Sequence, residues 1–381
     1  MDRIKPAILV LESGKSFKGS SFGSSGEAVG EVVFNTSMTG YQEILTDPSY
    51  KGQIILMTEP HIGNVGTNSE DLESKKVHCE GFIVREISSI VSNWRSTETL
   101  QKFLTSRKIP ALSGIDTRAL TKHLREAGVM RGILSTVDFD PESLLKKVRD
   151  SALMIGNDLV KEVTCSQPYE WEVPKSPTLN VVIMDFGVKQ NILRSLQEKG
   201  CRITVLPANS TIQQILSYSP DGIMLSNGPG DPAAVHYAID TIKRVIDLPN
   251  QKAKTSIPLF GICLGHQLLG LALGGKTYKL KFGHRGVNHP VKDLSTGKIE
   301  ITTQNHGFAV DIESLAGKDV ELTHVNLNDG TLEGMRHKTL PIFSVQYHPE
   351  SSSGPHDSKY LFDRFIALIQ KNKLMQKYSN G

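Results

Sequence analysis

The arrangement of apolar and polar positions differs between the first part of the chain and the rest. Up to about residue 150, short apolar runs alternate with turns, and three of these runs are predicted strands: 31–34, 53–57 and 81–84. Helical spacing predicts three helices in the same region: 97–104, 116–127 and 142–149. The segment 35–50 follows neither pattern and is predicted to be a loop.

From about residue 178 onward, strands and helices alternate. Residues 180–186 (NVVIMDF) and 258–262 are near-continuous apolar runs, and helical spacing covers 189–199 and 234–248. Buried strands separated by helices are typical of a parallel sheet that is covered on both faces. The remaining residues are predicted to form strands and a final amphipathic helix: 278–282, 298–303, 320–326, 342–347 and then 358–371.

These patterns predict an α/β fold, in which a C-terminal doubly wound, mostly parallel sheet follows a smaller mixed α/β N-terminal domain. We assign residues 1–150 to the N-terminal domain and 178–381 to the C-terminal domain. The segment 151–177 is predicted to be a linker, because its second half is weakly patterned and rich in proline. A length of 381 residues agrees with two or three domains.

Composition and charge limit the classes of partner that this chain is expected to bind. Lys and Arg exceed Asp and Glu by only three, 43 against 40. This balance argues against nucleic acid or an anionic membrane as the main partner. The segment 255–275 has no acidic or basic residue, but it contains Pro258 and His266, and we interpret it as a buried strand that leads into a buried helix.

The four cysteines lie far apart and form no CxxC pair. A disulfide framework or a zinc site is therefore not expected, and we predict a reducing compartment, the cytoplasm. The segment 270–277 (GLALGGKT) matches the phosphate-binding pattern GxxxxGK[ST]. Its context is reversed, since a helix precedes it and a strand follows, so that phosphates would meet the negative end of a helix. We interpret Gly274 and Gly275 as the end of that helix.

The segment 261–267 (GICLGHQ) is typical of a nucleophile elbow. It lies where a predicted strand meets a predicted helix, and glycines stand two residues before and two after Cys263. A helix N-terminus favours the thiolate, and the N–H of Leu264 is placed to bind an oxyanion. The alternative is that Cys263 is a buried structural thiol.

A cysteine nucleophile needs a base, and the best candidate is the segment YHPE after the strand that starts at residue 342. Alternation along an extended chain sends His348 and Glu350 to the same side. His348 would take the thiol proton, and Glu350 would orient the imidazole. The remaining histidines are interpreted as surface or structural residues.

Two further segments are candidates for the same sheet edge. The segment 226–232 (SNGPGDP) is a rigid turn after a strand, whose amides could serve an oxyanion or a carboxylate, although most such segments are plain loops. The segment 304–308 (QNHGF) is predicted to be a polar turn after a strand.

The motifs GICLGHQ, SNGPGDP and YHPE together resemble the triad-type, class I glutamine amidotransferases over roughly residues 178–375. The strings FNTSMTGYQEILTDPSY and SGIDTRALTKHLREAGVMRG are similar to the first domain of carbamoyl-phosphate synthetase small subunits, as are QNHGFAV and GxNHPV. The resemblance covers nearly the whole chain.

This resemblance implies that Cys263, His348 and Glu350 form a triad that hydrolyses L-glutamine through a thioester, with the amides of Gly228 and Leu264 as oxyanion donors. It also implies a set of glutamine-binding residues in an interdomain cleft: Ser49, Gly230, Gln267, Asn305, Gly307 and Phe308. No metal or other cofactor is expected in this chain.

The ammonia is expected to pass to a large synthetase subunit. That subunit would bind ATP and a divalent metal and make carbamoyl phosphate from bicarbonate, for pyrimidine and arginine synthesis. Two alternatives remain. Another triad glutaminase or γ-glutamyl hydrolase on the same fold should lack the N-terminal domain, and a non-catalytic subunit should lack the nucleophile.

Overall fold

The computed structural model describes residues 5–248 and 256–379, and the chain divides into two units. The first is Met1–Asn157 with Lys281–Gly286; the second is Asp158–Leu280 with Val287–Gly381. The predicted linker is divided between the two, and its second part carries regular structure. Residue 255, where the uncharged segment begins, lies outside the described residues.

A closed barrel forms the centre of the first unit, in the strand order β1-β2-β8-β6-β4-β3-β9, and β5 pairs with β7 in a separate two-stranded sheet. The strands described in this unit are β1 Lys5–Leu11, β2 Ser16–Ser21, β3 Glu27–Asn35, β4 Gln53–Met57, β5 His61–Ile62, β6 Gly81–Ile83, β7 Glu86–Ile87, β8 Ala111–Ser113 and β9 Met130–Ser135. The helices are α1 Tyr41–Thr46, α2 Leu100–Ser106, α3 Thr117–Ala127 and α4 Pro141–Asp150.

The three predicted helices of this region are confirmed, with boundaries moved by a few residues. The Asp116 carboxylate accepts a hydrogen bond from the Ala119 N–H at 2.9 Å and caps α3. The prediction of a loop over 35–50 is wrong in part. The segment holds α1 and a 3₁₀ turn at Pro48–Tyr50, and Leu45 and Tyr50 fill the core.

The second unit is built on a ten-stranded sheet with the order β10-β12-β11-β13-β14-β19-β18-β17-β15-β16. Its strands are β10 Tyr169–Glu170, β11 Leu179–Asp185, β12 Cys201–Pro207, β13 Gly222–Leu225, β14 Leu259–Ile262, β15 Thr277–Asp293, β16 Ile299–Val310, β17 Val320–Asn326, β18 Leu332–His337 and β19 Ile342–Val345. Its described helices are α5 Val160–Val163, α6 Gln190–Glu198, α7 Ile212–Ser217, α8 His236–Ile246, α9 Leu264–Ala272 and α10 Tyr360–Ser379.

The centre of this sheet is parallel, as predicted: β12, β11, β13, β14 and β19 pair in one direction. Both of its faces are covered. Val182 and Met184 of β11 belong to a core cluster shared with α8 and α9, whereas Val181 and Ile183 belong to one shared with α6 and α10. Alternate residues of one apolar strand therefore supply two cores, which explains the near-continuous apolar run.

The predicted strand 278–282 is part of the longer strand β15, and the last helix begins at Tyr360 and runs to Ser379. In the described part of the chain, no helix combines the length and the apolarity that crossing a membrane requires.

Candidate active site

Cys263 lies between β14 and α9, in a backbone conformation with φ 53° and ψ −106°. This is a strained geometry for a non-glycine residue, and it is typical of a nucleophile elbow. The flanking glycines are required by close packing. A Cβ atom at Gly265 would lie 2.3 Å from the Leu225 carbonyl oxygen, and one at Gly261 would lie 2.8 Å from the Gly265 oxygen.

The backbone around the thiol is fixed by the neighbouring strand. The Cys263 N–H donates to the Val345 carbonyl at 3.0 Å, and Val345 is the last residue of β19. The Cys263 thiol lies 3.6 Å from the Asn305 carbonyl oxygen on β16. The cysteine itself is only 2 % exposed.

His348 and Glu350 follow β19 and lie side by side in the interior. His348 Nδ1 is 2.6 Å from Glu350 Oε1, and the two side chains are 1 % and 0 % exposed. Because Oε1 of an ionised carboxylate can only accept, Nδ1 carries the proton. Nε2, at the other side of the ring, is then the nitrogen that can exchange a proton with the Cys263 thiol.

Electrostatics favour a charged imidazole and a charged carboxylate. Burial alone lowers the pKa of His348, but Glu350 and Cys263 outweigh burial and raise it to about 10. Burial alone raises the pKa of Glu350, but Lys189 and His348 lower it to about 2. His348 is therefore a cation at neutral pH, able to protonate a leaving group.

Lys189 and Asn191 support Glu350, and the sequence reasoning missed both. Lys189 Nζ lies 2.9 Å from Glu350 Oε1 and 3.0 Å from the Ser351 carbonyl oxygen. Asn191 Nδ2 donates to the Glu350 carbonyl at 2.5 Å. Both come from the start of α6, and the one available signal is a lysine four residues after the end of the buried strand β11.

The turn 226–232 lies against the elbow. The Gly265 N–H donates to the Ser226 carbonyl at 3.0 Å, and Ser226 Oγ accepts from the Phe186 N–H at 2.9 Å. A Cβ atom at Gly228 would lie 2.9 Å from Leu264 Cδ2, so that the Leu264 side chain packs against Gly228. The predicted role of their amides as oxyanion donors stays a prediction. Gly230 adopts φ 91° in the same turn.

Gln267, in the first turn of α9, reaches the strand β16. Its Nε2 donates to the Phe308 carbonyl at 2.8 Å and to Gln346 Oε1 at 3.0 Å. The prediction of a turn at 304–308 is wrong, because these residues lie inside β16. Asn305 is buried, and Gln304 and His306 are buried with their side chains hydrogen-bonded within the unit, which the sequence pattern could not show.

Ser49 belongs to the first unit, where it lies in the 3₁₀ turn after α1. It is buried, and its N–H donates to Asp47 Oδ1 at 2.9 Å. Its predicted contact with glutamine stays a prediction. The other predicted site residues all lie in the second unit.

The segment that matches a phosphate-binding loop is a helix C-terminus, as predicted. The helix α9 ends before Gly274, which adopts φ 87°. The N–H groups of Gly274 and Gly275 donate to the carbonyls of Leu271 and Gly270. They cap the helix and do not form an open cradle for phosphates.

Comparisons with known proteins match both parts of the chain. Residues 182–368 match the family model "Glutamine amidotransferase class-I", and residues 9–134 match "Carbamoyl-phosphate synthase small chain, CPSase domain". Three similar proteins are each named carbamoyl phosphate synthase small chain. The protein of Syntrophotalea carbinolica is 54 % identical over 97 % of this chain and 99 % of its own length. The protein of Thermosynechococcus vestitus is 54 % identical over 96 % of this chain and 97 % of its own length.

The third, from Oryza sativa subsp. japonica and named chloroplastic, is 50 % identical over 98 % of this chain and 84 % of its own length. Such identity over nearly the full length, together with the two matched domains, gives the assignment: this chain belongs to the carbamoyl phosphate synthase small chain family.

Proposed function

We propose that this chain hydrolyses L-glutamine to glutamate and ammonia and delivers the ammonia to a large synthetase subunit. The observation that carries the proposal is the buried cysteine at a strained strand-to-helix turn, with a histidine–carboxylate pair held by the adjacent strand. A chain with both of the matched domains is the natural carrier of this activity. A non-catalytic role does not explain the strained backbone at Cys263.

The chemistry follows from the charges. Cys263 Sγ attacks the side-chain carbonyl carbon of glutamine, and the oxygen gains the electron pair of the C=O bond next to the amides of Gly228 and Leu264. The C–N bond then breaks as the His348 cation transfers its proton to the nitrogen, so that ammonia leaves and a thioester remains. His348, now neutral, takes a proton from water, and the resulting hydroxide adds to the thioester carbonyl. The C–S bond then breaks, which releases glutamate and restores the Cys263 thiolate beside the His348 cation.

The glutamine would be held by the residues proposed for this role: Ser49, Gly230, Gln267, Asn305, Gly307 and Phe308. The large subunit would bind ATP and a divalent metal and make carbamoyl phosphate from bicarbonate, in the service of arginine and pyrimidine synthesis. This chain would need no metal or other cofactor of its own, and its partners would be glutamine and that subunit rather than nucleic acid or a membrane. We place the complex in the cytoplasm, in agreement with four free cysteines.

The test is Cys263→Ser in the complex with the large subunit. We expect glutamine-dependent carbamoyl phosphate synthesis to be abolished and ammonia-dependent synthesis to be retained. Cys165→Ser is the matched control, since Cys165 is a half-buried free thiol outside the site, and it should retain both activities. Glutaminase activity retained by Cys263→Ser would overturn the mechanism. Glutamyl products released at full rate without a large subunit would favour a γ-glutamyl hydrolase instead.

A further inference from the structure

The carboxamide of Gln267 is fixed in one orientation by two acceptors. A primary amide nitrogen has two hydrogens, and those of Gln267 Nε2 point to the Phe308 carbonyl at 2.8 Å and to Gln346 Oε1 at 3.0 Å. Turning the amide over would set Gln267 Oε1 against both acceptor oxygens. The orientation is therefore determined by the two partners.

The remaining polar atom of this amide is Gln267 Oε1. Among the described residues, no group donates a hydrogen bond to it. It is also not one of the interior atoms that are both closed off from solvent and without a hydrogen-bond partner. It is thus an acceptor without a protein donor, within one helical turn of Cys263. A ligand group at this position must be a hydrogen-bond donor, and the donors of glutamine are the N–H groups of its ammonium and its carboxamide.

Gln346 is itself held firmly. It follows β19 directly, it is 0 % exposed, and its N–H donates to the Glu333 carbonyl at 2.9 Å. Alternation places it on the same side of the chain as Ser344, whose hydroxyl lies 2.9 Å from His266 Nδ1 on α9. The segment 344–346 thus supports two consecutive residues of α9, of which Gln267 is one.

The structure favours a positioning role for Gln346 over a purely structural one. Its own Nε2 is buried without a hydrogen-bond partner in the described part of the chain. An unpaired buried N–H destabilises a fold, and an apolar side chain of the same length would avoid that cost. The group that the Gln346 amide contributes here is its oxygen, which accepts the hydrogen bond from Gln267 Nε2.

We propose that Gln346 is a positioning residue of the glutamine site, whose side-chain oxygen holds the Gln267 amide so that Gln267 Oε1 receives an N–H group of the substrate. This inference rests on the proposed function. It predicts a defect in substrate binding, because the hydrogen bond orients a binding group and leaves Cys263 and His348 untouched.

The experiment is Gln346→Met in the full chain, in complex with the large subunit, with ammonia release measured against glutamine concentration. We expect the KM for glutamine to rise about three- to tenfold, which is the change in binding that the loss of one neutral hydrogen bond produces. We expect kcat to stay within about twofold. Gln197→Met is the matched control. Gln197 is a partly buried glutamine whose Oε1 also accepts a single hydrogen bond, from Trp171 Nε1 at 3.1 Å, and its variant should keep both constants.

A double-mutant cycle tests whether Gln346 acts through Gln267. In a Gln267→Met background, Gln346→Met should not raise KM further. Gln346→Asn keeps the amide but draws its oxygen back from Gln267 by one methylene group, so it should raise KM as Gln346→Met does, whether or not the methionine variant folds. An additive effect in the cycle, a KM in Gln346→Met equal to that of the control, or a wild-type KM in Gln346→Asn overturns the inference. If the wild-type complex releases no ammonia from glutamine, the proposed function itself fails.

Discussion

The Lys189 ammonium lies 2.9 Å from Glu350 Oε1, and the two side chains are only 3 % and 0 % exposed. The same Glu350 oxygen lies 2.6 Å from His348 Nδ1. One carboxylate oxygen thus faces two cations in the interior, and Lys189 offsets the cost of burying the Glu350 charge. This relationship makes the charge state of the site sensitive to a residue that does not reach the thiol.

Removing the ammonium should destabilise the protein strongly. Lys189→Met leaves Glu350 buried beside a single cation, and we expect the free energy of unfolding to fall by about 3–5 kcal/mol. Urea unfolding at neutral pH measures this. Lys359→Met is the control, because Lys359 pairs with Glu198 at 3.1 Å on the surface and should lose less than about 1 kcal/mol. Equal losses in the two variants would contradict the role assigned to Lys189.

The pH dependence of stability has a defined sign. The pKa of Glu350 is lowered from 4.5 to about 2, so that its contribution is complete above pH 4.5 and is lost as the pH falls towards 2. The pKa of His348 is raised from 6.5 to about 10, so that its contribution is complete below pH 6.5 and is lost as the pH rises towards 10. Together they stabilise most between pH 4.5 and 6.5.

We therefore expect the difference in Tm between the wild type and Glu350→Gln to be larger at about pH 5.5 than at about pH 9, because most of the stabilisation that the raised pKa of His348 provides is lost between pH 6.5 and pH 9. Thermal unfolding followed by circular dichroism measures it. A difference that grows with pH would show that the pair does not titrate as described.

The elbow should not tolerate a side chain at Gly265. A Cβ atom there would lie 2.3 Å from the Leu225 carbonyl oxygen, which belongs to the backbone of β13 and cannot move aside cheaply. We expect Gly265→Ala to lose about 1–3 kcal/mol of stability and most of the glutaminase activity. Gly81→Ala is the control, since its Cβ atom would meet its neighbours at 3.5 Å, an ordinary contact distance. A fully active Gly265→Ala would contradict the geometry of the turn.

A glutaminase that serves a synthetase must avoid hydrolysing glutamine to no purpose. We expect low activity of this chain alone and stimulation by the large subunit, through a shift in the population of active sites. Steady-state ammonia release with and without the large subunit tests this. Equal turnover in the two conditions would count against coupling.

The sequence predicted the parts of the site that depend on local geometry. The elbow follows from glycines at fixed positions around Cys263. Alternation predicts that His348 and Glu350 face the same side, and they do meet, but in a turn in which the Ser351 N–H donates to the His348 carbonyl at 3.1 Å. Lys189 and Gln346 were missed because their roles depend on which strands are neighbours. The polar segment with Asn305 and His306 predicts a turn, because polar side chains are usually exposed, whereas in the fold both residues are buried within β16.

The hydrogen bond from the Cys263 N–H to the Val345 carbonyl has a mechanical consequence. Val345 is the last residue of β19 and precedes the histidine by three residues. The segments that carry the nucleophile and the base are therefore joined by one hydrogen bond between neighbouring parallel strands. We expect the separation of the Cys263 sulfur and the His348 imidazole to change little when the surrounding loops move, since a displacement of β19 acts on both segments.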